Sequence, residues 1–197
     1  MKVICIDGNI GAGKTTVLNE LKARGYYVFE EDLDYWGVFL ERYYNDEKRW
    51  MCTLQLAILY SMKQQYRTIQ ELDCRVVFVE RSPDASLIFA KNGRRLQYLD
   101  AAEYDLVLKM HEALRWKPDC SFYIDTSTVS CMERIALRGR PCEKNIKTEY
   151  IEYLSVEYAD VYDQIDSEAK LGKTWKVDGS RSVSVIVDEI IVSADLI

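Results

Sequence analysis

The sequence predicts a three-layer α/β/α domain around a parallel sheet of five strands. Three observations carry that prediction. Short apolar runs rich in β-branched side chains alternate with stretches of helical periodicity. The runs are continuous, as strands buried on both faces are. The first of them, Met1 to Asp7, breaks into Gly8-Asn9-Ile10-Gly11-Ala12-Gly13-Lys14-Thr15-Thr16 before a helical stretch begins. Strand, loop and helix in that order are the setting of a phosphate-binding loop.

The spacing predicts a first helix over residues 13–24, closed by Gly25. A second strand, 26–29, delivers Glu30, Glu31 and Asp32 at its C-terminal end, where open α/β sheets bind ligands. Residues 33–44 read as a mixed stretch without an assigned element, and a long helix follows over 47–72. The third strand, 76–79, ends in Glu80-Arg81-Ser82. Helices are expected at 85–91 and 101–116, with a polar loop at 92–95 between them. The fourth strand, 121–125, precedes a helix that Thr126 or Ser127 can cap and that Gly139, Arg140 and Pro141 break. A helix over 147–168, a fifth strand over 174–178 and a helix over 182–193 complete the chain. There is no internal repeat, low-complexity tract or linker, so one domain is expected over 1–197.

Composition narrows the function classes. The 197 residues are 48% apolar and 29% charged, ordinary for a globular protein, and the formal charge of −6 argues against a nucleic-acid partner. No apolar run reaches membrane-spanning length and the N-terminus leads straight into a strand, so neither a membrane partner nor a signal peptide is expected. The six cysteines form no C-x-x-C pair and read as reduced thiols, which places the chain in the cytoplasm. His111 is the single histidine, so a zinc site is not expected and a general base would be a carboxylate.

Gly8, Gly13, Lys14 and Thr15 fit G-x-x-x-x-G-K-[ST]. Small residues let successive backbone N–H groups turn toward phosphate oxygens, Lys14 would reach the outer phosphates, and the Thr15 hydroxyl would sit on Mg²⁺. Glu30 or Glu31, facing such a loop, could take a proton from a substrate hydroxyl; the alternative is a solvated acidic turn. Glu80 could hold Mg²⁺ and Arg81 steady phosphoryl charge; the alternative is a surface strand end. Arg134 and Arg138 share a helix face, and Gly139 lets the chain project Arg140, a set that suits a lid over a triphosphate or a basic surface paired with acids. Gln55, Ile58 and Met62 share one face of the long helix. There the amide of Gln55 could read a nucleobase or sit satisfied in a core.

Together these residues resemble the deoxynucleoside kinase family, which includes deoxycytidine, deoxyguanosine and mitochondrial thymidine kinases and the insect multisubstrate enzyme. The loop Gly8 to Thr16 resembles that family's G-N-I-x-[AS]-G-K-[ST]-[ST]. Glu31-Asp32-Leu33-Asp34-Tyr35-Trp36 is similar to its E-P-V-x-x-W, with Asp32 replacing proline. Tyr44 and Arg49 to Gln55 resemble its Y-x-(4)-R-W-x-F-x-[FL]-Q, with Cys52 where an aromatic is usual. Glu80-Arg81-Ser82 resembles [DE]-R-S, and Arg134 to Glu143 resembles the lid R-x-x-x-R-G-R-x-x-E.

The resemblance implies a P-loop kinase fold with an arginine-rich lid near 138–146. It selects Glu31 as base and makes Trp36 a pocket wall. It puts Tyr44 and Glu143 on the sugar 3′-hydroxyl and Gln55 on the base. It further implies ATP as donor, bound by residues 8–16 with Arg134, Arg138 and Arg140, Lys14 and Arg81 in catalysis, and Mg²⁺ on Thr15 and Glu80. Ile58, Met62 and Ala85 resemble the apolar pocket of the thymidine-accepting branch, so thymidine is expected first and deoxycytidine second. The segment after Ser82 is one residue short of the family's, which leaves Asp84 as the alternative to Ala85. A homodimer is implied through helices at 98–116 and 147–168. The competing readings are a thymidylate-type monophosphate kinase and a GTPase-like switch, although the guanine-reading N-K-x-D motif is missing.

Overall fold

The protein is described by a computed structural model covering residues 1–168 and 173–195. Its elements, in order, are β1 (Lys2–Asp7), α1 (Lys14–Ala23), β2 (Tyr27–Phe29), α2 (Leu33–Asn45), α3 (Glu47–Gln70), β3 (Val76–Glu80), α4 (Asp84–Arg95), α5 (Ala101–Leu114), β4 (Cys120–Asp125), α6 (Thr128–Arg138), α7 (Thr148–Glu168), β5 (Lys173–Asp178) and α8 (Val183–Asp195). A 3₁₀ turn, Pro141–Glu143, joins α6 to α7. The five strands are all parallel, in the order β2-β3-β1-β4-β5. The architecture is the expected α/β fold, and it brings the C-terminal ends of β1, β2 and β3 side by side.

Alternation along β1 explains the layers. Ile4 and Ile6 pack with Phe78, Phe122, Leu18, Leu21, Ile151, Leu154 and Ile190 on one face. Val3 and Cys5 pack with Val77, Val79, Ile69 and Trp116 on the other. Each such side chain, fully buried, contributes about 1.5–3 kcal/mol. A third cluster lies among α2, α3, α4 and α5, with Trp36, Tyr43, Met51, Leu54, Leu59, Leu99 and Val107 at its centre.

Two segments depart from the sequence expectations. Residues 33–45, left without an element, form α2: the Asp32 side chain caps it by accepting from the Tyr35 amide, and it buries Trp36 and Tyr43 against α3. Residues 92–95, expected as a polar loop, are the last turn of α4. Asn92 and Gly93 are buried there, so tertiary packing overrides their turn preference. Of the two candidate caps of α6, Ser127 is the one used, accepting from the Ser130 amide. Among the described residues no helix is long and apolar enough to cross a membrane.

Candidate active site

The loop after β1 is fixed by backbone constraints. A Cβ at Gly8 (φ +148°) would lie 2.8 Å from the Ile124 carbonyl oxygen, and one at Gly11 (φ +78°) only 2.4 Å from that of Cys131. No other residue fits these positions without displacing backbone. Lys14, at the start of α1, folds back to donate to the carbonyls of Gly8 (3.2 Å) and Asn9 (2.9 Å) and lies 3.8 Å from Glu80 Oε1. Burial, with the Arg81 guanidinium adding to it, lowers the Lys14 pKa to about 8.

Around the loop the strand ends deliver charge. Arg81 leaves β3 with φ +63°, a left-handed conformation costing about 1–3 kcal/mol in a non-glycine residue. Its surroundings hold it there: Nη1 donates to Glu31, Nη2 to the Gly8 carbonyl (3.4 Å) and Nε to the Tyr158 hydroxyl (3.3 Å), while Asp7 lies 3.7 Å from Nε. Asp7 is buried and accepts from the hydroxyls of Tyr158 (3.1 Å) and Tyr162 (2.9 Å). Burial works against ionisation of Glu31, but Arg81 and Lys14 outweigh it and hold its carboxyl below the usual range. Glu80 goes the other way: burial and the nearby Glu31 raise its pKa despite Lys14. Two neighbouring carboxylates are thus driven apart in pKa, the arrangement that separates a ready proton acceptor from a second acid.

Lys14, Glu31, Glu80 and Arg81 line one end of a cavity of about 450 Å³, together with Thr15, Thr16, Arg134, Arg138 and Arg140. The three arginines have different partners. Arg134 donates to the carbonyls of Ala12 (2.7 Å) and Gly179 (2.9 Å), bracing the loop. Arg138 donates to Glu143 from Nε (3.1 Å) and Nη2 (2.5 Å), and Arg140 reaches the same carboxylate at 3.4 Å. Asn9 turns from the cavity, donating to the Ile151 carbonyl and the Ser155 hydroxyl and so tying the loop to α7.

The other end is walled by helices: Trp36, Leu40, Tyr43 and Tyr44 from α2, Met51, Leu54, Gln55 and Ile58 from α3, Phe89 from α4 and Tyr150 from α7. None of these carries a formal charge. Tyr43 and Tyr150 share a hydrogen bond, and burial pushes the Tyr150 phenol up to about 12. Gln55 is 2% exposed, and its Oε1 has no hydrogen-bond partner among the described residues. A buried amide oxygen without a donor is costly, so this one calls for a donor from whatever fills the cavity.

Of the residues singled out in the sequence, the cavity lining unites Ile10, Gly11, Gly13, Lys14, Thr15, Thr16, Glu31, Trp36, Tyr44, Gln55, Ile58, Glu80, Arg81, Arg134, Arg138, Arg140 and Glu143. Met62 and Ala85 are buried but outside that lining. Met62 sits where its carbonyl accepts from the Trp116 indole at 3.2 Å. The alternative, Asp84, is also outside it, paired at 2.8 Å with His111 Nε2. Glu30 is outside as well, its carbonyl accepting from Gln65. Sequence reasoning did not single out Leu40, Tyr43, Met51, Leu54, Phe89 or Tyr150. Their only signal is apolar periodicity, which a core residue shares.

The deoxynucleoside kinase family model matches residues 4–191. A protein of Frog virus 3 (isolate Goorha) is 36% identical over 165 residues, covering 84% of this chain and 85% of its own length. A deoxyadenosine kinase of Dictyostelium discoideum is 33% identical over 168 residues, covering 82% of this chain and 67% of its own. Among solved structures, a deoxyadenosine kinase from M. mycoides, with products dCMP and a flexible dCDP bound, is similar with a TM-score of 0.88. It is 27% identical, and the likeness covers 99% of this chain and 100% of that one.

Proposed function

The chain belongs to the deoxynucleoside kinase family and is a phosphotransferase with an alcohol acceptor, and from that premise we propose that it transfers the γ-phosphoryl group of ATP to the 5′-hydroxyl of thymidine first and deoxycytidine second. The observation that carries the reading is the pairing of Glu31 with Arg81 between the loop and the uncharged helical end. Glu31 is held ionised there and would accept the 5′-hydroxyl proton as the oxygen attacks phosphorus. Lys14 and the loop amides would hold the donor phosphates, and Arg81, Arg134, Arg138 and Arg140 would offset charge in the transition state.

The donor set fits Mg²⁺. Thr15 offers a hydroxyl and Glu80 a carboxyl, hard oxygens on the loop side of the cavity. When bound there the ion would neutralise phosphate charge; Thr15 and Glu80 would hold it.

At the helical end Trp36, Leu40, Ile58 and Phe89 would enclose the base, Tyr44 and Glu143 would take the 3′-hydroxyl, and Gln55 would meet the base edge. An amide acceptor and donor side by side complement the N3–H and a carbonyl of thymine, and aliphatic walls suit its methyl group. No carboxylate stands among the residues that would meet the base (Trp36, Leu40, Gln55, Ile58 and Phe89), which favours thymine over bases that present an exocyclic amine. A second ranking, led by deoxyadenosine, is favoured by the relatives named above. A monophosphate acceptor is disfavoured by Glu31, an ionised carboxylate where the acceptor's own phosphate would lie.

The chain is further proposed to act as one catalytic unit, with its lid at about 138–146, and to dimerise. Exposed Leu106 and Leu108 on α5 and Tyr153 and Val156 on α7 support an apolar contact; sedimentation at one protomer's mass would contradict it. The test of function is phosphoryl transfer from ATP-Mg²⁺ to each of the four deoxynucleosides and to thymidine monophosphate. Thymidine should lead. Transfer to the monophosphate alone would overturn the acceptor assignment, and a purine lead would overturn the ranking.

A further inference from the structure

Gly93 stands in the last turn of α4, in ordinary helical backbone rather than the left-handed region, so its φ does not require glycine. Helices disfavour glycine in such places, which leaves a steric reason to be found. A Cβ at this position would lie 2.8 Å from Met51 Cε, 3.2 Å from Met51 Cγ and 3.5 Å from Leu99 Cδ1. Met51 is fully buried and lines the cavity, one turn before Gln55 on the same face of α3. Phe89, one turn before Gly93 on α4, lines it too. The two helices therefore face each other with Gln55 and Phe89 on the cavity and Met51 packed into the space that a side chain at position 93 would fill.

We infer that Gly93 is a specificity-determining positioning residue: by lacking a side chain it lets Met51 withdraw from the cavity, and so sets the size of the base that the cavity admits. Methionine is unbranched and adaptable, so a methyl group at position 93 displaces the thioether and leaves the backbone in place. Leu99 Cδ1 also lies 3.5 Å from that Cβ and packs in the same buried cluster as Met51, which in turn borders the cavity it lines. Displacement thus shortens the cavity at the turn that carries Gln55. The inference rests on the reading of the helical end as the nucleoside site.

The experiment compares kcat/KM for the best purine and the best pyrimidine deoxynucleoside in the wild type, in Gly93→Ala, and in Gly93→Ala combined with Met51→Ala. Gly93→Ala should lower the purine-to-pyrimidine ratio by about tenfold or more, the scale of a single methylene in a hydrophobic pocket. Its melting temperature should equal or exceed that of the wild type, and its KM for ATP should stay within about twofold. Adding Met51→Ala should restore the ratio. An unchanged ratio in an active Gly93→Ala enzyme, or equal losses for both nucleosides and ATP, would overturn the inference and leave Gly93 a packing residue. A wild type that phosphorylates no deoxynucleoside would overturn the underlying reading, a result distinct from either.

Discussion

At the loop end of the cavity a few consecutive residues supply backbone amides and one lysine, and glycine is required where a Cβ would strike a carbonyl; at the helical end, side chains from α2, α3, α4 and α7 meet across long sequence separations. The loop end is polar, charged and braced: Arg134 on Ala12, Asn9 on α7, Arg81 on Gly8. The helical end is an apolar cluster beside the sheet, where the buried amide oxygen of Gln55 has no partner among the described residues. The difference teaches a division of labour. On the proposed function, the loop end would fix which chemistry is possible and tolerate little substitution, whereas the helical end would set which acceptor is chosen and could be remodelled by packing.

Substitutions at the two ends should therefore separate turnover from selectivity. Short of removing the base itself, the largest effect is expected from Arg138→Ala, which removes one of the two arginines on Glu143 and a charge of the proposed lid. Turnover should fall by about 10²–10³, the range for losing a transition-state donor, with thymidine affinity far less affected. A rate within twofold of wild type would reduce the lid arginines to surface charge. Gln55→Leu should act at the other end. It should raise the nucleoside KM by about 10–100-fold and leave the KM for ATP unchanged, because it removes the amide that would pair with the base. Matching losses for both substrates would blur the two ends into one.

The smallest effect sharpens the comparison through pH. The Lys14 pKa is lowered on folding, to about 8, so the unfolded chain keeps this proton where the folded cavity has released it. Stability from this group should rise with pH from about 8 toward the ordinary lysine value of 10.5. Affinity for ATP should fall over the same window as the ammonium is lost, by up to about tenfold per pH unit. Nucleoside affinity should not follow. A flat ATP KM from pH 7 to 9.5 would remove Lys14 from phosphate binding.

How far the sequence could be read differs between the ends for the same physical reason. The loop is a local code, so residues 8–16 and the strand–loop–helix order are visible in one stretch. The sheet is nearly as legible, because strands buried on both faces leave unbroken apolar runs. Glu31, Arg81 and Gln55 stand out as polar residues at strand ends or in an apolar stripe, and all three line the cavity. Phe89, Met51 and Tyr150 do not stand out, since an aromatic or apolar residue facing a cavity has the same periodicity as one facing a core. Helical spacing put Met62, and the family resemblance Ala85, beside Gln55, but neither reaches the lining, and Asp84 is taken up by His111 on α5. Such long-range pairings leave no local trace. Gly93 shows the converse: a turn signal in the sequence becomes a point of close helix approach in the fold.

The most direct test of the account is Glu31→Gln, measured in parallel for nucleoside binding by calorimetry and for single-turnover phosphoryl transfer. The amide keeps the shape and the contact with the cavity but cannot take the hydroxyl proton. Binding should stay within about threefold while the transfer rate drops by about 10³ or more, at or above the middle of the general-base range. Transfer near the wild-type rate would contradict the assignment of Glu31 as the base, and with it the claim that the Glu31–Arg81 pair is where the two ends of the cavity meet.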